Sequence, residues 1–363
     1  MDRTRRFVIA AAYIAAISAF LGVASLLVSH FIVIHAAGVV VAATITEDAS
    51  LFLSTLPTSP SRAISLFVAG DVMLDRTVAT RIAQSRNDAY PFLKIASDPR
   101  FTLPDIRLVN LEGPVTSKRA PPEKTIDFQF APRFVDVLKR VGIDAVSQAN
   151  NHTLDQGRAG AEESRQLLSK SGLIVFGDEV RDDTIALATT TMRGHTIAFV
   201  GFNETSDSIN EDDAGEAMKT ARASAQTVIV LMHWGEEYQN HPTIRQQERA
   251  RWLINHGADI VLGSHPHWVE GISLYKGRPI AYSLGNFVFD QDWSVETKKG
   301  LALGLKFDQS GVTMDLYPVQ IDASQPRFVD GTERTARLRD LASVSDAALM
   351  PQILQGELNF PTP

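Results

Sequence analysis

Short apolar runs that end in polar or glycine-rich residues recur from residue 63 onward, and helical segments separate some of them. Runs of about four to eight apolar residues are typical of buried strands, whereas an apolar residue every three or four positions predicts a helix. Strands are predicted at 64–71, 106–113, 144–152, 173–176, 195–202, 227–234, 259–262 and 278–289, and helices at 131–141, 158–171 and 243–256. Two alternating runs at 301–307 and 312–321 predict an antiparallel pair. Strands interleaved with helices and followed by a β-rich end predict a layered α/β domain over 63–325.

The N-terminal sequence predicts a membrane anchor. Three arginines within the first six residues precede the range 7–46, which contains no Asp, Glu, Lys or Arg. An apolar helix over 7–29 is long enough to cross a bilayer, and its positive flank should remain cytoplasmic, which places the rest of the chain outside the cytoplasm. A cleaved signal peptide is the alternative, but its apolar region is normally about 7–15 residues long. We expect an uncleaved anchor within residues 1–46, and a second span within 31–46 stays open.

Composition narrows the class of function. The net charge of −7 and the lack of a long basic run after the N-terminus argue against nucleic-acid binding, because that binding depends on Lys and Arg neutralising phosphates. The sequence has no cysteine, so a metal centre would use His, Asp, Glu and Asn. Outside the domain, the range 47–62 contains Pro, Ser and Thr and is expected to be a linker, and the charged range 326–363 is expected to be a C-terminal tail.

Two histidines separated by one residue, His265 and His267, follow the apolar run 259–262 and Gly263. Side chains two positions apart in an extended segment point the same way, so both imidazoles could reach one metal ion. The alternative is an exposed turn that happens to hold two histidines. The pair alone does not decide between them.

Candidate metal ligands stand at five predicted strand ends. They are Asp71, Asn110 with Glu112, Asn151 with His152, His233, and His265 with His267. Each has an ordinary alternative: an acid or an amide can be a turn or cap residue, and a histidine can be a half-buried core residue. In layered α/β folds, however, ligands bind at the carboxyl ends of the strands. Because all five strand ends offer a ligand type, the pattern favours a metal centre.

Six motifs in order give the chain a family resemblance. GDVMLDR, NLEGPVT, NNHTLDQG, HWGEEY, GSHPH and YSLGNFVFDQ, spread over residues 64–320, resemble the CapA-type family of bacterial capsule and poly-γ-glutamate synthesis proteins, which have a calcineurin-like metallophosphoesterase fold. The resemblance implies a four-layer αββα sandwich preceded by the transmembrane helix. It also implies two divalent metal ions between the two sheets.

The resemblance also implies a role for each candidate residue. The implied ligands are Asp71 and His267 at the first ion, Asn151, His233 and His265 at the second, and Glu112 as the bridge. His152 would be the general acid, and the site wall would include Asn110, Asn286 and Asp290. The sequence departs from the superfamily at Met73, where a ligand histidine is usual, and at Glu112, which is usually Asp. Ser264 stands where many relatives have a further histidine, and we expect it to lie outside direct ligation.

The implied function is phosphoester hydrolysis in making a capsule polymer of the poly-γ-glutamate type. A ligand set of His, Asn and carboxylates suits Mn, Fe or Zn better than Mg. The expected location is the bacterial inner (cytoplasmic) membrane, crossed once, with the domain facing the periplasm or cell surface. Other polymer synthesis or export subunits are the expected partners, and the substrate would be an anionic polymer or a phosphoester. A non-catalytic assembly or export subunit is the alternative, and a general envelope nucleotidase or phosphodiesterase is a third interpretation.

Overall fold

The computed structural model describes residues 32–36, 39–43, 63–122, 124–177, 187–206, 208–308 and 311–361. Two strands, β1 (Ile32–Ala36) and β2 (Val39–Ala43), pair antiparallel and belong to a unit separate from the rest of the chain. They lie within the range 31–46, where the sequence left a second span open. The anchor helix expected over 7–29 and the linker lie outside the described residues. Among the described helices, none is long and apolar enough to cross a membrane.

A nine-stranded mixed sheet forms one half of the second unit, with the order β16-β15-β14-β3-β4-β5-β6 and with β13 and β17 beside β3 and β15. Its strands are β3 (Ile64–Val72), β4 (Ile106–Leu111), β5 (Ala145–Ser147), β6 (Ile174–Phe176), β13 (Asn286–Val288), β14 (Lys299–Asp308), β15 (Gly311–Asp322), β16 (Gln325–Phe328) and β17 (Glu357–Pro361). Strands β3 to β6 run parallel, and β14 to β16 are antiparallel to their neighbours.

A six-stranded sheet with the order β11-β12-β10-β9-β8-β7 forms the other half. Its strands are β7 (Leu187–Met192), β8 (His195–Glu204), β9 (Thr227–Trp234), β10 (Ile260–Ser264), β11 (Ile272–Tyr275) and β12 (Arg278–Ala281). The four central strands β8, β9, β10 and β12 are parallel. Their carboxyl ends therefore meet at one edge of the sheet.

Eight described helices connect or cover the sheets. They are α1 (Arg76–Ser85), α2 (Pro99–Thr102), α3 (Phe134–Arg140), α4 (Gly157–Lys170), α5 (Glu211–Ser224), α6 (Ile244–Asn255), α7 (Gly331–Ser343) and α8 (Met350–Gln355). Helix α6 begins at a capping box, in which the Thr243 hydroxyl accepts from the Gln246 N–H and the Gln246 side chain accepts from the Thr243 N–H. Such caps satisfy N–H groups that the first turn leaves without a partner.

Each sheet is buried on both faces, which produces the layers. In β3, Phe67 packs in a core with α1 and α3, whereas its neighbour Leu66 packs in the core shared by the two sheets. In β9, Ile229 faces that same shared core, and Val230 faces the core formed with α5 and α6. Because successive strand residues point to opposite faces, a continuous apolar run supplies two cores at once. The domain is a mixed α/β sandwich in which two sheets pack face to face between helices.

The prediction of a single strand over 278–289 is wrong. The structure divides this range into β12, in the six-stranded sheet, and β13, in the nine-stranded sheet. The chain passes between the sheets over 282–285 and turns at Gly285, where φ is +63°. The Gly285 carbonyl accepts a hydrogen bond from the Asp71 N–H, and this contact aligns Asn286 with Asp71.

Residues 326–361, expected as a tail, continue the same compact unit. They form the end of β16, helices α7 and α8, and β17, which pairs with β15. Charged residues dominate the exposed side of this segment, but Leu338, Leu341, Ile353 and Leu358 are buried in the core between the sheets. The domain therefore ends beyond the expected residue 325.

Candidate metal centre

Buried polar residues from both sheets meet where the parallel strands end. Asp71 of β3 is paired with Asn110 of β4 in one sheet, and Ser264 of β10 is paired with His233 of β9 in the other. Asp71, Glu112 and His233 each offer one ligand atom, and these three atoms lie within 4.8 Å of one another. All three residues are buried. The two sheets thus deliver carboxylate and imidazole groups to one point.

Glu112 has the environment of a cation-binding carboxylate. Its side chain is 0% exposed, and neither carboxylate oxygen has a hydrogen-bond partner among the described residues. Burial raises the pKa of Glu112 well above its ordinary value, and the negative charge of Asp71 raises it further. A buried carboxylate without a partner is costly. A bound cation would satisfy both oxygens and remove that cost.

The hydrogen bonds around His233 fix its tautomer. Its Nδ1 lies 2.9 Å from the Ser264 hydroxyl and 3.3 Å from the Asn110 amide nitrogen, and both of these groups can donate. Its Nε2 lies 2.9 Å from the Asn151 side-chain oxygen, which can only accept. We infer that Nε2 carries the proton in this network. Without that proton, Nε2 and the Asn151 oxygen would be two adjacent donor atoms able to hold a metal ion.

His265 has a buried ring nitrogen that is available to a metal ion. Its Nδ1 has no hydrogen-bond partner in the part of the chain that the structure describes. Burial and, to a smaller extent, the neighbouring His267 lower the pKa of His265 to about 4. The imidazole is therefore neutral near pH 7, which is the form that binds metals. The His265 backbone has φ of +96° and its N–H donates to Asp71, at 3.4 Å, so the turn is tied to the other sheet.

Asn286 orients His267. The Asn286 amide nitrogen donates to the Gln291 side chain at 3.0 Å and to the Thr297 carbonyl at 2.9 Å, which leaves its oxygen to accept from His267 Nδ1 at 2.9 Å. The Nδ1 of His267 is also 3.6 Å from Asp71. With Nδ1 donating, Nε2 is the nitrogen that remains for a metal, and its direction is set by an outer hydrogen bond.

His152 and Asp155 form a pair beside Glu112. The His152 Nδ1 lies 2.6 Å from Asp155 Oδ2, and its Nε2 lies 3.8 Å from Glu112. Asp155 also accepts from the Phe128 N–H at 2.8 Å and from Lys124 at 3.0 Å. Burial pushes the pKa of Asp155 upward, but these hydrogen bonds outweigh burial and hold it below its ordinary value. The Phe128 ring covers the His152 imidazole at 4.1 Å.

The structure places the predicted residues in two groups. Those gathered around the centre are Asp71, Asn110, Glu112, Asn151, His152, His233, His265, His267 and Asn286. Asp290 does not belong to this group. Its carboxylate, with a side chain 2% exposed, pairs with the Arg76 guanidinium and accepts from the Thr77 N–H. Its described contacts are therefore with the start of helix α1 rather than with the ligands.

Three further residues matter that the sequence did not assign. Asp155 lies three residues after His152 within NNHTLDQG, and this spacing was the available signal. Ser264 was expected to lie outside direct ligation, and the structure shows it bonded to His233 Nδ1. Arg76, within GDVMLDR, was not singled out. Met73 is fully buried and its sulfur accepts from the Asp75 N–H, so it does not replace the missing imidazole.

The residues fit a divalent cation. Two observations carry this: within the described ranges, neither the Glu112 carboxylate nor the His265 Nδ1 has a hydrogen-bond partner. The donors are carboxylates, an amide oxygen and imidazoles, the set that suits Mn, Fe or Zn. A cavity of about 400 Å³ adjoins the centre on the side of Asn151 and Asp155. It is lined by amide, hydroxyl and charged groups, including Asn203, Thr205 and Lys124.

Comparison with known proteins identifies relatives over most of the chain. Residues 65–291 match the model of the family described as Bacterial capsule synthesis protein PGA_cap. The PGA biosynthesis protein CapA of Bacillus subtilis (strain 168) is 30% identical over 317 residues, which cover 82% of each chain. The capsule biosynthesis protein CapA of Bacillus anthracis is 28% identical over 288 residues, which cover 73% of this chain and 69% of that one.

Among solved structures, a hypothetical protein from Thermus thermophilus aligns with a TM-score of 0.47 and 16% identity, over 70% of this chain and 99% of that chain. A putative 5'-nucleotidase from Staphylococcus aureus, in complex with alpha-ketoglutarate, aligns with a TM-score of 0.43 and 12% identity, over 81% of this chain and 58% of that one. The family match spans more than half of the sequence, and the chain belongs to the bacterial capsule synthesis protein PGA_cap family.

Proposed function

We propose that the protein is a metal-dependent phosphoester hydrolase that acts in capsule polymer biosynthesis. One observation carries the proposal: the buried Glu112 carboxylate has no partner among the described residues, lies close to Asp71 and His233, and is 3.8 Å from His152. A cation site next to an oriented imidazole is the arrangement that phosphoester hydrolysis needs. The names of the curated relatives, which are capsule and PGA biosynthesis proteins, support the biological setting.

The ligands would divide between two ions. Asp71 and His267 would hold the first, Asn151, His233 and His265 the second, and Glu112 would bridge them. When bound, such ions polarise a phosphoryl oxygen and lower the pKa of a coordinated water. Mn, Fe or Zn suits these donors better than Mg, which keeps more of its own water.

His152 supplies the proton for the leaving group. In its charged form it donates one N–H to Asp155 and directs the other, on Nε2, toward the centre. Water adds to phosphorus, the phosphorus–oxygen bond breaks, and the departing oxygen takes the Nε2 proton. A proton from the water restores the imidazolium. Asp155 holds the ring and stabilises its charge, and Phe128 shields one of its faces from solvent.

Hydrolysis of phenyl phosphate by the full chain tests this function. The assay measures phosphate release with added Mn²⁺ for the wild type, Asp71→Ala, His267→Ala and the control His256→Ala. His256 stacks on Trp252 at the end of α6, away from the centre, and should behave as wild type. We expect Mn²⁺-dependent release that both ligand variants lose. Release that survives both substitutions and a chelator contradicts the proposal.

A non-catalytic role in polymer assembly or export is the second candidate, and Met73 favours it. The position that usually gives the first ion an imidazole is a buried thioether here, already used by the Asp75 N–H. A weakened first site would leave the centre able to bind polymer carboxylates without hydrolysing an ester. Polymer production by cells carrying His267→Ala separates the two: full production with normal folding favours assembly, and loss favours catalysis.

The proposed location follows from the N-terminal sequence. The charge-free range 7–46 after three arginines would anchor the protein once in the bacterial inner (cytoplasmic) membrane, with the domain facing the periplasm or cell surface. Its partners there would be other subunits of polymer synthesis or export. Protease treatment of cells with an opened outer envelope tests the orientation. Digestion of the domain supports it, and protection in intact spheroplasts contradicts it.

A further inference from the structure

A buried carboxylate, that of Asp290, fixes the side chain of Arg76. Its Nε lies 3.1 Å from Asp290 Oδ2, its Nη2 contacts Asp290 Oδ1, and the Asp290 side chain is 2% exposed. The Thr77 N–H also donates to Asp290, at 3.0 Å. Arg76 begins α1 with φ of +51°, a left-handed backbone conformation that residues other than glycine rarely adopt. Such backbone strain is concentrated at functional sites.

The guanidinium and the proposed general acid contact the same aromatic ring. The Arg76 carbon Cζ is 5.4 Å from the centre of the Phe128 ring, and the centre of the His152 ring is 4.1 Å from it. The side chain of Arg76 is 37% exposed, and its Nη1 has no hydrogen-bond partner within the described residues. The cation therefore keeps free N–H groups next to the ring that covers the proposed general acid.

The geometry points to Arg76 as a substrate-binding residue that pairs with a second anionic group, carried by the leaving-group portion of the substrate. The inference rests on the proposed function, because His152 defines the leaving-group side. A guanidinium whose Nε edge is held by a carboxylate can still bind a second carboxylate or phosphate through its other N–H groups. The substrate class is therefore a polyanionic phosphoester, rather than one with a neutral or apolar leaving group.

Binding of two phosphonates to the Mn²⁺-loaded full chain tests this inference without requiring turnover. Phenylphosphonate and 4-carboxyphenylphosphonate share the group that the ions would hold and differ by one carboxylate. By calorimetry, we expect the wild type to bind the carboxylate compound about tenfold more tightly, the size of one charge-assisted hydrogen bond. Arg76→Met and Arg76→Gln should reduce that ratio to about one.

Arg81→Met is the matched control. Arg81 lies on the same helix and pairs with Asp292, so the variant also loses an arginine and an ion pair, although with a more exposed carboxylate, and the ratio should stay near tenfold. Equal affinities in the wild type, or a full preference in the Arg76→Gln protein, overturn the inference. A preference that depends on Arg76 in a protein that does not hydrolyse phenyl phosphate supports the inference and refutes the hydrolase function alone. Hydrolysis of phenyl phosphate by a protein that binds the two phosphonates equally well refutes the inference and supports the hydrolase function.

Discussion

Replacing Asp155 by Asn should slow catalysis while leaving the metal ligands in place. Asp155 Oδ2 receives two donors, the Phe128 N–H at 2.8 Å and His152 Nδ1 at 2.6 Å. The amide oxygen of Asn should take that position, because an amide nitrogen there would face the Phe128 N–H. The His152 tautomer is then retained. The losses are the negative charge beside the imidazolium and the acceptor of Lys124, whose Nζ lies 3.0 Å from Asp155 Oδ1.

The size of the effect follows from the bond that changes. A hydrogen bond to a charged group contributes about 1.5–3 kcal/mol and a neutral one about 0.5–1.5 kcal/mol, so the substitution removes about 1–1.5 kcal/mol. If the loss appears in the transition state, kcat falls about tenfold, since each 1.36 kcal/mol corresponds to about a factor of ten. In His152→Ala, kcat should fall further, by about 10²–10⁴-fold.

Steady-state phosphate release from phenyl phosphate, with bound Mn²⁺ measured in the same samples, gives the comparison. We expect Asp155→Asn to lower kcat with metal content unchanged. Glu163→Gln is a suitable control, since Glu163 also accepts side-chain hydrogen bonds but from Thr116 and Ser117, away from the imidazole. A kcat equal to that of the wild type in both Asp155→Asn and His152→Ala would refute the assigned acid.

Three further predictions concern one buried acid, Glu270, and two residues that orient candidate ligands, Asn286 and Ser264. Burial raises the pKa of Glu270 from 4.5 to about 8, so the folded protein holds this proton more tightly than the unfolded chain and loses stability as the pH rises from about 4.5 through about 8. In Glu270→Gln, the free energy of unfolding measured in urea should vary less with pH in that window, by at most about 5 kcal/mol. A pH dependence equal to that of the wild type contradicts this. Asn286→Leu removes the acceptor of His267 Nδ1 and should weaken Mn²⁺ binding about 10–100-fold by calorimetry, whereas unchanged affinity would exclude an orienting role. Ser264→Ala removes one of two donors to His233 and should weaken binding less than Asn286→Leu does; a larger loss would be inconsistent with the remaining amide contact.

The alternation of strands and helices was readable from the sequence because both faces of each sheet are buried. A strand such as β9 is apolar from Val228 to Met232, and His233 follows that run next to the strand end. The strand ends thereby also indicated the candidate ligands. The crossing at Gly285 was not readable in the same way, since the apolar run continues through it while the hydrogen-bond partners change from one sheet to the other.

The supporting residues depend on tertiary contacts that spacing does not show. Asp290 has the chemistry of a ligand, but helix α1 places Arg76 and the Thr77 N–H against it. The segment after residue 325 has a charged composition, and only its helical period, with Leu338 and Leu341 on one face, indicates that it packs on the sheets. In both cases the role of a side chain depends on which element packs against it.

The most direct test of the account is the number of Mn²⁺ ions bound by the metal-depleted full chain. Titration followed by calorimetry and electron paramagnetic resonance should give two equivalents, and Glu112→Gln should lose most of that binding because the bridging carboxylate is gone. Phosphate release should rise with the bound metal. A wild-type protein that binds no Mn²⁺, or that binds it equally well as Glu112→Gln, would contradict the assignment of this site.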